Sequence, residues 1–212
     1  FRYFKAQGVK IKVISGDNPA TVAEIARLAG IDNAENYIDA ALLDTDEKLY
    51  NAAREYTVFG RVTPRQKQKL VSAMQEMGHT VAMTGDGVND ILAMKRADCG
   101  IAMASGSEAV SQAARVVLMD SDFAHMPSVV AEGRRVVNNI QRSASLFLVK
   151  NIFSLLLSVT ASVLMISYPL EPAHISLISM FTIGLPGFLL ALESNKSKIN
   201  GHFLKNVLKT VS

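Results

Sequence analysis

The chain has 212 residues, 49% hydrophobic and 19% charged, with a net charge of +3, which excludes a disordered tail and leaves room for one sizeable core plus a second body. Most acidic residues fall before Glu132, whereas between Ser143 and Leu192 the only charges are Lys150 and Glu171. The basic residues are dispersed or flank the apolar segments, which argues for membrane topology and against nucleic acid as a partner; the single Cys99 excludes an intrachain disulfide and reads as a small buried hydrophobe in a reducing compartment.

The first residues read as part of a helix, and a start at Phe1 without Met or signal peptide predicts a piece of a longer protein. Residues 10–15, with the run Val9-Lys10-Ile11-Lys12-Val13-Ile14, predict a strand that breaks at Gly16-Asp17 into Asn18-Pro19, where proline suits a first helical turn. That helix covers 19–29 and stops at Gly30, in place for a left-handed cap. Residues 32–56, rich in Asp, Glu and Asn, are expected to form a solvated excursion with a helix at 47–54. The unit then repeats, with a short strand at Val58-Phe59, Thr63-Pro64 as N-cap and first residue, a helix to Met77 and a stop at Gly78. A strand at 79–83 leads into Thr84-Gly85-Asp86-Gly87, followed by a helix at 89–96, a strand at 100–103, a helix at 108–114 and a strand at 116–119. This alternation predicts an α/β fold with a doubly wound parallel sheet, whose chemistry collects at the carboxyl ends of the strands, where both Gly-Asp loops fall.

Residues 129–140 are amphipathic, with Glu132, Arg134, Arg135, Asn138 and Asn139, and predict a helical stalk running into the apolar stretch. Residues 146–166 are numerous enough, at roughly 1.5 Å each, to cross a hydrocarbon core of roughly 30 Å. A second, shorter apolar span at 175–192 follows the connection Ser167-Tyr168-Pro169-Leu170-Glu171-Pro172, which holds no Lys or Arg. Arg134, Arg135 and Arg142 precede the hairpin, and Lys196, Lys198, Lys205 and Lys209 follow it. The positive-inside rule therefore puts the α/β domain in the cytoplasm. The run 202–212 reads as the approach to another membrane segment.

The string Thr84-Gly85-Asp86-Gly87-Val88-Asn89-Asp90 sets two carboxylates, an amide and two glycines between a strand and a helix. Mg²⁺ is commonly held by one or two carboxylates together with phosphate oxygens and water, and the glycines let the backbone approach such a group. With Ala93-Met94-Lys95, Ala97-Asp98 and Gly100-Ile101-Ala102-Met103 behind it, this string closely resembles the hinge motif of P-type ATPases. Ile14-Ser15-Gly16-Asp17-Asn18 resembles the family's Thr-Gly-Asp loop, with Ser15 keeping the hydroxyl. Arg61-Val62-Thr63-Pro64-Arg65-Gln66-Lys67 resembles the segment whose lysine approaches the phosphoryl group, and Gly133-Arg134 with Asn138-Asn139 the stalk of the fifth membrane helix.

The resemblance implies that residues 1–126 are the C-terminal part of a haloacid-dehalogenase-like phosphorylation domain. It makes 127–142 a stalk, 143–166 and 175–192 the two transmembrane helices of the segment 143–193, and 194–212 a cytoplasmic loop leading to a further span. It implies ATP and Mg²⁺ as cofactors, with Asp86 as Mg²⁺ ligand, Asp90 as a second ligand or loop support, and Asn89 beside the phosphate. Lys67 neutralises phosphoryl charge, while Ser15, Gly16 and Asp17 lie at the phosphoryl oxygens, Asp17 with a helix cap as its plain alternative. In the family the γ-phosphoryl of ATP passes to an aspartate, and the aspartyl phosphate is then hydrolysed; the Asp-Lys-Thr-Gly loop that carries it is not in the chain, so the fragment alone is expected to be inactive. Its expected partners are ATP, a transported cation, membrane lipids, and the actuator, nucleotide-binding and other membrane segments, in a multi-pass protein of the plasma membrane.

In the first span Asn151, Ser154, Ser158 and Ser162 recur along one face, and Lys150 is costly inside a bilayer. In the second, Pro186 between glycines predicts an unwound helix with freed carbonyls. The chain departs from calcium and sodium pumps, with Thr182-Ile183-Gly184 where they carry Thr-Asp-Gly and Ser154 at a glutamate position. Asn151, Ser154, Ser179 and Thr182 remain as candidate ligands of the transported ion. Certain bacterial calcium exporters look similar here, which makes calcium the expected ion. The alternatives are a lipid-flipping member, a membrane-anchored phosphatase of the same superfamily, and a non-catalytic membrane scaffold.

Overall fold

The computed structural model of the protein describes residues 1–193 and 195–199, so the expected membrane approach at 202–212, with Lys205 and Lys209, lies outside the described residues. The chain divides into two compact units, one over Phe1–His125 and one from Met126 onward.

The first unit alternates strands and helices: α1 (Arg2–Ala6), β1 (Val13–Ile14), α2 (Pro19–Leu28), β2 (Tyr37–Asp39), α3 (Asp46–Glu55), β3 (Val58–Gly60), α4 (Pro64–Glu76), β4 (Ala82–Gly85), α5 (Ile91–Arg96), β5 (Cys99–Met103), α6 (Glu108–Ala113) and β6 (Val116–Leu118). Every strand pairing is parallel, as the alternation requires. Hydrogen bonding divides the strands into two three-stranded sheets, in the orders β1-β3-β2 and β4-β5-β6, where a single sheet was expected.

Local chemistry sets the element ends. Asn18 caps α2 through the Ala20 N–H (3.0 Å), with Pro19 in the first turn. Thr63 and Gln66 form a reciprocal capping box at the start of α4. Gly30 and Gly78 take the left-handed conformation behind α2 and α4, at φ +78° and +81°.

Three expectations are corrected. The first strand holds two residues, because ladder pairing with β3 begins only at Val13, whose N–H bonds Thr57 O; the Lys12 ammonium turns to the Tyr56 carbonyl. The fourth strand starts at Ala82 instead of residue 79, since the Asp98 carboxylate takes the Val81 N–H at 2.8 Å. The segment at 32–56 is no solvated excursion: it supplies β2 and α3, and Ala40, Leu43, Leu49, Ala52 and Ala53 are core. Its polar composition belongs to the outer face of α3, with apolar residues confined to the inner stripe.

The two sheets share one helix. Leu70 and Ala73 of α4 pack into the core beneath β3 with Phe59 and Leu49, while Val71 of the same helix packs into the core of β4 and β5 with Met83, Met94 and Ala102. Met74 touches both cores.

The second unit is helical: α7 (Met126–Val163), α8 (Pro172–Ser179), a π-helical turn at Met180–Gly184 and α9 (Leu185–Leu192). The stalk and first span are one 38-residue helix, about 57 Å long at roughly 1.5 Å per residue. It ends at Val163, three residues before the expected boundary, in a turn with Met165 at φ +53°. Two helices, Phe123–Val163 and Pro172–Leu190, are long and apolar enough to cross a membrane, and only 6% of the most apolar stretch of each is buried within the protein. A core helix of a soluble protein hides its apolar side chains, so this exposure matches a lipid-facing surface.

The second span stays helical where unwinding was expected. Leu185 N–H bonds back five residues to Met180 O, so the backbone absorbs the irregularity before Pro186 as a widened turn. The polar row of the first span stays on one side of the continuous helix α7. Ala161 is buried and Lys150, Ser154 and Leu157 are half-buried along one line of α7, while Asn151, Ser158 and Ser162 lie beside that line and are exposed.

Candidate functional site

The carboxyl end of β4 runs into Asp86-Gly87 and a 3₁₀ turn, Val88–Asp90, which feeds α5. Asp90 points back beneath this turn. Its Oδ1 accepts a bond of 2.6 Å from Lys67 Nζ, delivered from the second turn of α4. Lys67 and Asp90 are only 9% and 8% exposed, and they are the only buried charged side chains among the described residues. Isolated charges of this kind are costly away from water, so each is held in place by the other.

Two glycines make room for the arrangement. A Cβ on Gly85 would lie 2.6 Å from Asp90 Oδ2, and one on Gly106 would lie 2.5 Å from the Asp86 carbonyl oxygen. Gly85 therefore admits the buried carboxylate, and Gly106, in the turn after β5, lets that turn press against the Asp86 loop.

Asp86 and Asn89 themselves are exposed, with no side-chain partner among the described residues. A free carboxylate at the carboxyl end of a parallel strand, next to Gly85 and Gly87 in the chain, suits a hydrated Mg²⁺ that also carries phosphate oxygens. Asp90 does not suit a metal as well, since Lys67 occupies Oδ1 and Oδ2 sits over Gly85 and Gly87.

The first Gly-Asp loop follows β1. Ser15 Oγ donates to Asp17 Oδ2 at 3.1 Å and accepts from the Asp17 N–H at 3.2 Å, so hydroxyl and carboxylate close on each other. The helix cap that Asp17 offered is filled by Asn18 instead. The Gly16 N–H has no acceptor among the described residues. Backbone bonds tie this loop to the entry of α4, from Arg61 N–H to Asp17 O (2.8 Å) and from Val62 N–H to Ser15 O (3.0 Å). Arg61 holds φ +51° to make that turn, a left-handed conformation that costs a non-glycine residue about 1–2 kcal/mol.

The structure thus joins Lys67 directly to Asp90, and links the Ser15–Asp17 loop to the same helix through its N-terminal turn. It places Asn151, Ser154, Ser179 and Thr182 in the second unit without a hydrogen bond among them. Thr182 Oγ1 donates to Ile178 O at 2.6 Å, within its own helix. A cavity of about 400 Å³ lined by Leu43, Asp46, Leu49, Arg61, Gln66 and Lys69 reaches neither Asp86 nor Asp90. Gly106 was missed in the sequence; the run Ala104-Ser105-Gly106-Ser107 after a strand was the available sign of a close approach.

Residues 1–98 match the haloacid dehalogenase-like hydrolase family. The chain is 46% identical to the "probable cation-transporting ATPase exp7" of Streptococcus pneumoniae, over 96% of this chain and 27% of that protein. It is 44% identical to the "calcium-transporting ATPase CtpE" of Mycolicibacterium smegmatis, over 97% of this chain and 27% of that protein. It is 35% identical to a "calcium-transporting ATPase" of Bacillus subtilis, over 91% and 22%. The chain spans about a quarter of the length of these relatives. Among solved structures, a zinc-transporting PIB-type ATPase in its E2·Pi state superposes with a TM-score of 0.61 at 22% identity, covering 100% of this chain and 27% of that one, which is a likeness of fold. By sequence along nearly its whole length, and by a haloacid dehalogenase-like unit followed by apolar helices, the chain belongs to the P-type ATPases, a family of membrane proteins.

Proposed function

We propose that the chain supplies part of the catalytic and membrane machinery of a cation pump, driven by ATP through an aspartyl phosphate formed on a segment outside these 212 residues. The observation that carries this reading is the buried Lys67–Asp90 pair, whose aspartate closes the same loop that presents the exposed Asp86 at the end of β4. Asp86 would hold Mg²⁺, which when bound screens phosphate charge and orients the phosphoryl group. Lys67, aimed by Asp90, adds a fixed positive charge, and Asn89 offers an amide at the same edge. The free Gly16 N–H donates to a phosphoryl oxygen, and the Ser15 hydroxyl does so by turning its proton away from Asp17 Oδ2, while the Asp17 N–H still holds the serine oxygen. Donors fixed before the reaction stabilise spreading negative charge without reorganising at the moment of transfer.

Calcium is the proposed cation, supported by the names of the relatives in Mycolicibacterium and Bacillus. Hard cations of this kind take oxygen ligands. Asn151 and Ser154 on α7, with Ser179 and Thr182 at the π turn, are the proposed oxygen donors in this part of the chain. Pro186 has no amide hydrogen to give to the turn before it. The α/β unit is proposed to face the cytoplasm of a multi-pass plasma-membrane protein.

The test is phosphoenzyme formation by the full-length protein from γ-labelled ATP across a calcium titration. Asp86→Asn is expected to remove acid-stable labelling, and normal labelling in that variant would overturn the assignment. Asn151→Ala is expected to shift the calcium dependence while leaving maximal labelling in place; an unchanged titration would remove Asn151 from the ligand set.

A further inference from the structure

The turn that follows β5 grips the Asp86 loop in a way that no step above uses. Gly85 pairs with Ala102, so β5 ends one residue further on, level with Asp86. The chain turns away at once. Gly106 N–H bonds to Met103 O at 2.9 Å and closes a four-residue turn, Met103 to Gly106. A Cβ on Gly106 would lie 2.5 Å from the Asp86 carbonyl oxygen and 3.2 Å from its carbonyl carbon, with Met103 O at 3.1 Å. Gly106 is not among the glycines held at positive φ. Its backbone would suit other residues, and what excludes a side chain there is first of all the Asp86 carbonyl.

The same turn is held from its far side. Leu118 O accepts the Ala104 N–H at 3.0 Å, and Ser121 Oγ accepts the next amide, Ser105 N–H, at 2.8 Å. Two successive amides of the turn are thus bound by the chain that ends and leaves β6. Ser121 takes φ +54° to be there, with its own N–H on Leu118 O at 3.0 Å. A left-handed backbone strains a residue with a side chain, whereas glycine adopts it freely. Glycine would lack only the hydroxyl that holds Ser105.

A carbonyl seated against a fixed wall sets the peptide plane that follows Asp86 and leaves its side-chain torsions to aim the carboxylate. Asp86 has no side-chain partner among the described residues, so its backbone is what presents it. Mg²⁺ demands near-ideal octahedral geometry, and a ligand that wanders serves it poorly.

We propose that Ser121 is a positioning residue for the Mg²⁺ loop: its hydroxyl holds the Ser105–Gly106 turn against the Asp86 carbonyl and so fixes where the Asp86 carboxylate is offered. The metal role rests on the reading of Asp86 given above; the hold of Ser121 on the turn does not.

The experiment uses the full-length protein in detergent with Ser121→Ala, Ser121→Gly and Gly106→Ala. Ser121→Gly removes the hydroxyl and relieves the backbone at one position, so its thermal unfolding is expected to stay close to wild type. Amide exchange over residues 84–90, in protein free of metal and ATP, reads the hold without any turnover. It is expected to speed up roughly tenfold in both Ser121 variants. Phosphoenzyme formed from γ-labelled ATP across a Mg²⁺ titration reads the metal, and its midpoint is expected to rise roughly tenfold in both, with maximal labelling unchanged. Gly106→Ala is expected to raise the midpoint too, and Gly106→Ala with Ser121→Gly to raise it no further than the larger single effect, since both act through one contact.

Unchanged exchange in both Ser121 variants would overturn the hold. A change in Ser121→Ala that Ser121→Gly lacks would trace the effect to backbone strain and overturn the role of the hydroxyl. Faster exchange with an unmoved Mg²⁺ midpoint would keep the hold and overturn its role toward the metal. A double variant whose shift is the product of the two single shifts would overturn the shared contact. Wild-type protein that takes no label at any Mg²⁺ concentration would sink the pump reading, and exchange alone would then decide the hold.

Discussion

Lys67 and Asp90 hold each other where neither survives alone. Removing one partner of a buried ion pair leaves the other desolvated and uncompensated, at a cost of about 3–5 kcal/mol, whereas replacing both with apolar groups is often neutral. Lys67→Met is therefore expected to lower stability in denaturant titration by about that amount, and Lys67→Met with Asp90→Leu to recover most of it. The recovered double variant should still lack phosphoenzyme, which separates folding from chemistry. The string Thr84 to Asp90 and the segment Arg61 to Lys67 were legible one at a time, since each carries its own spacing. That Asp90 serves Lys67 across 23 positions was not, because no local pattern reports which of two carboxylates turns inward. Gly85 carried the trace of it, as a residue without a side chain where the inward carboxylate needs the volume.

At the scale of elements, Asp98 does for β4 what a capping residue does for a helix. Its Oδ2 accepts the Val81 N–H at 2.8 Å and Gln75 Nε2 at 3.1 Å, joining α4, β4 and the start of β5. These bonds, the Val81 N–H first and the Gln75 amide second, hold its carboxyl below the usual aspartate value of 3.8. A carboxyl depressed on folding contributes stability that is present above its unfolded value and is lost as pH falls through the folded one. Asp98→Asn is thus expected to flatten the acid limb of the stability curve below about pH 4, as read by thermal unfolding from pH 6 downward. Helices α2 and α4 were readable from Asn18-Pro19 and Thr63-Pro64, whose capping chemistry is local. Strand β2 was hidden, because Tyr37-Ile38-Asp39 is short and sits in a polar stretch, and only pairing with β3 makes it a strand. The π turn was hidden for a related reason: Pro186 announces a disturbed helix, and packing decides whether it unwinds or widens.

At the scale of the whole molecule, one chain serves two solvents. The first unit buries its apolar residues, whereas α7 to α9 leave Phe153, Leu155, Leu156, Phe181 and Phe188 more than half exposed. The chain is expected to stay with the membrane pellet through an alkaline carbonate wash and to enter solution only with detergent; release by carbonate alone would count against a spanning hairpin. This division was plain from the charge distribution, since water and hydrocarbon select opposite compositions. The separation of the soluble strands into two sheets was not, because alternation predicts parallel strands without saying which are neighbours. Those sheets nonetheless have a common keel in α4, which lends Leu70 to one interior and Val71 to the other. Neither half has a complete interior of its own once that helix leaves, so the soluble unit should denature in a single step, and a truncated side chain at Leu70 should loosen strands it never touches.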